Sequence, residues 1–120
     1  MPRLIAIIDD DEAIQDSLRN LMEAAGLVAR CFASAEEFLE SDLQNGAACL
    51  IVDIRMPQMS GLQLQARLKE EECNIPIIFI TAHGDARMRI RAMREGAVEF
   101  LAKPFDPHLL LKRVRAALAI

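Results

Sequence analysis

Leu4-Ile5-Ala6-Ile7-Ile8-Asp9-Asp10-Asp11-Glu12 places five consecutive apolar residues directly before four acidic ones. A run that is apolar at every position, and not at every second one, reads as a strand covered on both faces, which is the pattern of a parallel sheet. The run is far below the ~18 residues of a membrane span. It is also too short for a signal-peptide core and has no small-residue cleavage site after it. The same figure returns three times: Ala47–Val52 runs into Asp53, Ile77–Ile80 into Thr81, and Ala97–Ala102 into Lys103.

The intervening segments have helical period. In Ala13–Ala25, residues Ile14, Ser17, Leu18, Leu21, Met22 and Ala25 fall on one side, with Asp16, Arg19, Asn20 and Glu23 on the other, before Gly26 stops the helix. Leu27–Phe32 reads as a further strand. Ser34 with Glu37 three residues on is a capping-box pattern for a helix through about Glu40, and Asn45-Gly46 marks a turn. In Leu62–Glu72 strict alternation competes with helical spacing, and the richness in Leu, Gln, Lys, Arg and Glu decides for helix. Asp85–Arg94, closed by Gly96, and Asp106–Ala119 complete the series. Strands that alternate with helices imply an α/β fold, here a five-stranded parallel sheet with five helices, doubly wound. The 120 residues are read as one domain, 1–120, with no internal repeat or linker.

A formal charge of −4 argues against nucleic-acid binding through the overall field of this domain. Cys31, Cys49 and Cys73 are odd in number, lie in or beside apolar stretches and form no CxxC pair, so they read as thiols and not as disulfide or zinc ligands. No membrane segment is expected, and the location expected is cytoplasmic.

In a parallel sheet the carboxyl ends of the strands share one edge, and the crevice outside that edge is where open α/β sheets bind ligands. Asp9, Asp10, Asp53, Thr81 and Lys103 are therefore expected to converge. Three carboxylates repel unless a cation intervenes, and Mg²⁺ suits hard oxygen ligands that leave room for waters and phosphate oxygens. Asp53, at the tip of a buried strand, is placed to act as a nucleophile on a phosphoryl group. Lys103 would neutralise phosphate charge and the Thr81 hydroxyl would hydrogen-bond a phosphoryl oxygen. Taken alone, the acidic run could equally cap a helix; Asp11 is then the cap, with Asp9 and Asp10 nearer the strand end. His83 and His108 have no partner motif and read as surface or loop histidines.

Ile7-Ile8-Asp9-Asp10-Asp11-Glu12, Asp53-Ile54-Arg55-Met56-Pro57 with Ser60-Gly61, Thr81-Ala82 and Lys103-Pro104-Phe105, in this order and spacing, resemble the CheY-like receiver domains of two-component response regulators, whose fold is flavodoxin-like. The resemblance covers the whole chain. It implies that Asp53 receives phosphate from a sensor histidine kinase and that Mg²⁺ (or Mn²⁺) is ligated by Asp10, Asp53 and the Arg55 backbone carbonyl, with Asp9 acting through a metal-bound water. It further implies that Thr81 and Phe100 form a coupled switch, that Lys103 binds phosphate, and that the Lys103-Pro104 peptide is cis. Phe100 also fits a plain core aromatic. Ala82-His83-Gly84 and the Arg55 loop look most like receivers linked to helix-turn-helix transcription regulators, so the chain is expected to be a signalling switch that catalyses only its own phosphorylation and dephosphorylation. A phosphatase of the haloacid dehalogenase type would need a second Asp where Arg55 stands.

For output, the Asp85–Arg94 helix is expected to turn Ala86, Ile90 and Met93 to the core and Arg87, Arg91 and Arg94 to solvent, with Met88 and Ala92 beyond those arginines. That face, with the fifth strand, is read either as a docking patch for a second receiver or an output domain, or as a solvated basic face.

Overall fold

The computed structural model describes residues 3–82 and 86–120. Five strands, β1 (Leu4–Ile8), β2 (Val28–Phe32), β3 (Cys49–Asp53), β4 (Ile77–Thr81) and β5 (Glu99–Ala102), form one parallel sheet in the order β2-β1-β3-β4-β5. The helices are α1 (Glu12–Ala24), α2 (Ala35–Glu40), α3 (Gly61–Glu70), α4 (Ala86–Arg94) and α5 (Pro107–Leu118), with a short 3₁₀ turn at Asp42–Asn45. Every element expected from the sequence is present, with ends displaced by at most two residues. Asp53 is the last residue of β3 itself, not the first beyond it.

The two-residue period of the strands explains the layering. Ile5, Ile7, Ile51, Ile78 and Ile80 face one way and bury Leu18 and Met22 of α1 with Leu110, Val114 and Leu118 of α5. Ala6, Ile8, Leu50, Val52, Phe79 and Phe100 face the other way, onto Phe38 of α2, Leu64 and Leu68 of α3 and Ala92 of α4. Cys49 is wholly buried in the first layer, and burial pushes its thiol up to about 12, so it behaves there as a small apolar side chain. All three cysteines are free thiols. Among the described residues, no helix is long and apolar enough to cross a membrane.

Two assignments are corrected. Ser17 is exposed and lies outside the buried face of α1. The larger correction concerns α4, which turns Ala92, wholly buried, and half-buried Met88 to the core, while Ile90 (57% exposed), Met93 and Ala86 face outward. The sequence offers two apolar stripes at helical spacing, and the bulkier is the one expected at the core. The structure uses the smaller one because an alanine lets the helix backbone come close to α3, where the Gln65 amide Nε2 donates to the Ala92 carbonyl at 3.0 Å. A larger side chain at that position would hold α4 away from this contact. Arg87, Arg91 and Arg94 are exposed, as expected. Asp85 and His83 lie outside the described residues.

Candidate functional site

At the carboxyl edge of the sheet β1 ends just before Asp9, β3 at Asp53, β4 at Thr81 and β5 just before Lys103, so residues from distant parts of the sequence meet over one small area. Asp9, Asp53 and Thr81 are buried, Asp10 is exposed, and Lys103 is half-buried. Carboxylate oxygens of Asp9, Asp10 and Asp53 all lie within 4.8 Å of one another. Lys103 Nζ stands between two of them, 3.1 Å from Asp9 Oδ2 and 3.7 Å from Asp53 Oδ2.

Local hydrogen bonds fix the carboxylates. Asp9 Oδ1 accepts from the Asp11 amide at 2.8 Å, and Asp53 Oδ1 accepts from the Arg55 amide at 3.2 Å. Asp11 is consumed as the N-cap of α1, accepting from the amides of Ala13 (2.9 Å) and Ile14 (3.4 Å). This leaves Asp9 and Asp10 free of the capping role, and the sequence assignment of the cap holds. Burial raises the Asp9 carboxyl above its ordinary range, against the lowering pull of the Asp11 amide and of Lys103. Asp53 is also raised, first by burial and then by the neighbouring Asp9, with Lys103 and the Arg55 amide opposing. A divalent cation relieves this repulsion, and a set of three hard carboxylate oxygens suits Mg²⁺.

The Lys103-Pro104 peptide is cis. The Lys103 amide donates to the Thr81 carbonyl at 2.7 Å, extending the β4–β5 ladder to the site. Phe100 is buried opposite Phe79 in the sheet register and belongs to the layer beneath α3 and α4. It is a core aromatic in this conformation, two residues up the strand from Ala102, the partner of Thr81. The exposed Arg55 guanidinium reaches α4, with Nη2 3.9 Å from Met88 Sδ. The Arg55 loop and Met88 thereby border a cavity of about 470 Å³ with Met56, Pro57, Ser60 and Leu62.

Three features escaped the sequence reading. Ser60 and Gln63 form a reciprocal capping box at the start of α3, for which Ser60-x-x-Gln63 was the available signal. Gly61 lies so close to β3 that a Cβ there would come within 2.7 Å of the Asp53 carbonyl oxygen and 3.0 Å of Ile54 Cα. Gln15 donates from Nε2 to the Asp9 carbonyl at 2.6 Å; its signal was an amide at helical spacing from buried Leu18 and Met22. His108 is exposed, with its amide donating to the N-cap Asp106, and takes no part in the site.

The response regulator receiver domain family matches residues 5–115. The response regulator protein TodT of Pseudomonas putida is 47% identical over 117 residues, covering 98% of this chain and 52% of that protein. The transcriptional regulatory protein TdiR of Thauera aromatica is 42% identical over 116 residues, covering 97% of this chain and 51% of its own. The structure of the response regulator StyR superposes with a TM-score of 0.92 at 43% identity, covering 99% of this chain and 60% of that one. The chain spans about half the length of the curated relatives it matches.

Proposed function

This chain belongs to the response regulator receiver domain family of two-component systems, and from that premise we propose that Asp53 accepts a phosphoryl group from a sensor histidine kinase in a Mg²⁺-dependent reaction. The observation that carries the reading is the gathering of Asp9, Asp10 and Asp53 within 4.8 Å, with Lys103 between two of them. Asp10, Asp53 and the Arg55 carbonyl are the proposed ligands of Mg²⁺ (or Mn²⁺), with Asp9 acting through a bound water. The ion supplies charge neutralisation for the incoming phosphoryl oxygens.

An Asp53 oxygen attacks phosphorus, and its new O–P bond replaces the bond to the donor nitrogen, whose electron pair leaves with the donor. Lys103 balances the charge of the transferred group and the Thr81 hydroxyl donates to one of its oxygens. Burial, which makes the Asp53 carboxylate more basic, also limits water at the acyl phosphate. The domain is a signalling protein with no external substrate to turn over, and the location proposed for it is cytoplasmic.

Movement of Thr81 toward the phosphoryl group opens space for Phe100 to turn and shifts α4 with β5. Ile90, Met93 and Val98 are exposed on or beside this region, among the α4 arginines. A second receiver or an output domain, controlling transcription as the name of TdiR indicates for that relative, is the proposed partner. This domain makes no direct contact with nucleic acid. The test is incubation with acetyl phosphate and Mg²⁺ followed by mass spectrometry: one phosphoryl group on Asp53 of the native chain and none in Asp53→Asn is expected. Phosphate on another residue would overturn the assignment.

A further inference from the structure

The peptide unit that joins Asp9 to Asp10 sets where the second carboxylate points relative to the first, because rotating it swings the Asp10 side chain while Asp9 stays in the strand ladder. The peptide unit before it is anchored by β2, since the Asp9 amide donates to the Phe32 carbonyl at 3.1 Å. The Asp9 carbonyl lies past the last residue of β1, beyond the ladder that holds Ile8. It accepts from the Gln15 side chain, whose Nε2 donates at 2.6 Å.

Gln15 is itself well fixed. Its amide donates to the Asp11 carbonyl at 3.0 Å within α1, and its carbonyl accepts from the Cys31 thiol of β2, with Sγ 3.5 Å away. Asp9 in turn is held at its carboxylate by the Asp11 amide and Lys103. One amide side chain on α1 therefore closes the loop between the strand end and the helix start, with the exposed Asp10 at its apex.

We infer that Gln15 is a positioning residue for the divalent-cation site. It holds the Asp9–Asp10 peptide plane so that the Asp10 carboxylate is already turned toward Asp9 and Asp53 when the cation arrives. This rests on the metal reading given above. Groups that orient metal ligands contribute to affinity without touching the ion, because they lower the ordering needed on binding. Gln15 contacts a backbone oxygen and neither carboxylate, so its removal should weaken ion binding while leaving the ligand set intact.

The experiment is Mg²⁺ titration by calorimetry of the native chain, Gln15→Met, which keeps length but has no donor, and Gln15→Asn, which keeps the amide one methylene short of the carbonyl. Each is paired with amide NMR spectra and a melting curve in chelator. Both variants should raise the Mg²⁺ dissociation constant by about 3–10-fold, the worth of one hydrogen bond. They should also shift the Asp10 and Asp11 amide resonances before any metal is added, with the metal-free melting temperature nearly unchanged. A purely structural role would lower the melting temperature and leave the affinity of the folded fraction alone. If either folded variant binds Mg²⁺ as tightly as the native chain, the inference is overturned. If the native chain itself binds no Mg²⁺, the function proposed above fails and carries this inference with it.

Discussion

Replacing Gly61 by alanine separates local helix chemistry from the geometry of the proposed phosphorylation site. Gly61 is the first residue of α3, and on intrinsic propensity alanine is favoured over glycine in a helix by up to about 1 kcal/mol. The new methyl carbon would stand 2.7 Å from the Asp53 carbonyl oxygen, 3.0 Å from Ile54 Cα and 3.0 Å from Phe79 Cε1. Two of these atoms are backbone, and the Phe79 ring is wholly buried in the core, so none can swing aside. The Gly61 amide also donates to the Ile54 carbonyl at 2.9 Å, tying α3 to the loop it would have to leave. Overpacking of this kind costs about 1–3 kcal/mol; at the midpoint of about 2 kcal/mol, less a propensity gain of at most about 1 kcal/mol, the net loss is about 1–2 kcal/mol. For a domain of this size that is a fall of roughly 4–8 °C in melting temperature. The displaced atoms belong to the end of β3, so Mg²⁺ affinity should fall with stability. Urea unfolding monitored by circular dichroism, with Mg²⁺ titration alongside, reads both. A Gly61→Ala chain as stable as the native one would refute the close-approach argument.

Three further outcomes are expected. Burial raises the Asp53 carboxyl in the folded state, so the metal-free native chain has its full stability from this group below the unfolded carboxylate value, about 3.9. It loses that stability as pH rises through the higher folded value. Asp53→Asn removes the ionisation and should melt above the native chain at pH 7 in chelator, with the gain shrinking toward pH 4; an equal gain at both pH values would count against the cause given. On α4, Ile90→Glu should change stability by no more than about 0.5 kcal/mol because the side chain is exposed, yet abolish association induced by beryllofluoride as seen by light scattering. Ala92→Leu should instead cost about 1–3 kcal/mol by overpacking. Equal association of Ile90→Glu and native chain would remove this face from the proposed interface, and a large stability loss in Ile90→Glu would restore the stripe first read from the sequence.

The sheet was legible because β1, β3 and β4 are apolar runs that reach a polar residue at their carboxyl ends, as β5 reaches Lys103, so periodicity and chemistry pointed to the same edge. Asp9, Asp53, Thr81 and Lys103 needed only the rule that parallel strands share an end. The orientation of α4 was not legible in the same way. Its sequence holds two stripes of helical spacing, and the choice between them depends on Gln65, a residue of another helix whose amide reaches Ala92. Gln15 was hidden for a related reason. A polar residue at a core-facing position has meaning only once its acceptor is known, and the Asp9 carbonyl is a backbone atom that no side-chain pattern reports. Gly61 looked like loop chemistry, since its role is the distance between two backbones.

The single wholly buried residue of α4 is an alanine, and the helix carries Arg87, Arg89, Arg91 and Arg94 within nine residues. Burying one methyl group yields about 0.8 kcal/mol, and like charges one turn apart, such as Arg87 and Arg91, detract from helix stability. Such an element opens to solvent at a lower free energy than the sheet beneath it, without requiring the domain to unfold. A stimulus at the strand ends therefore need not compete with the global stability of the fold to move α4. It has only to exceed a local difference, set by one methyl group, Met88 and the Gln65 amide.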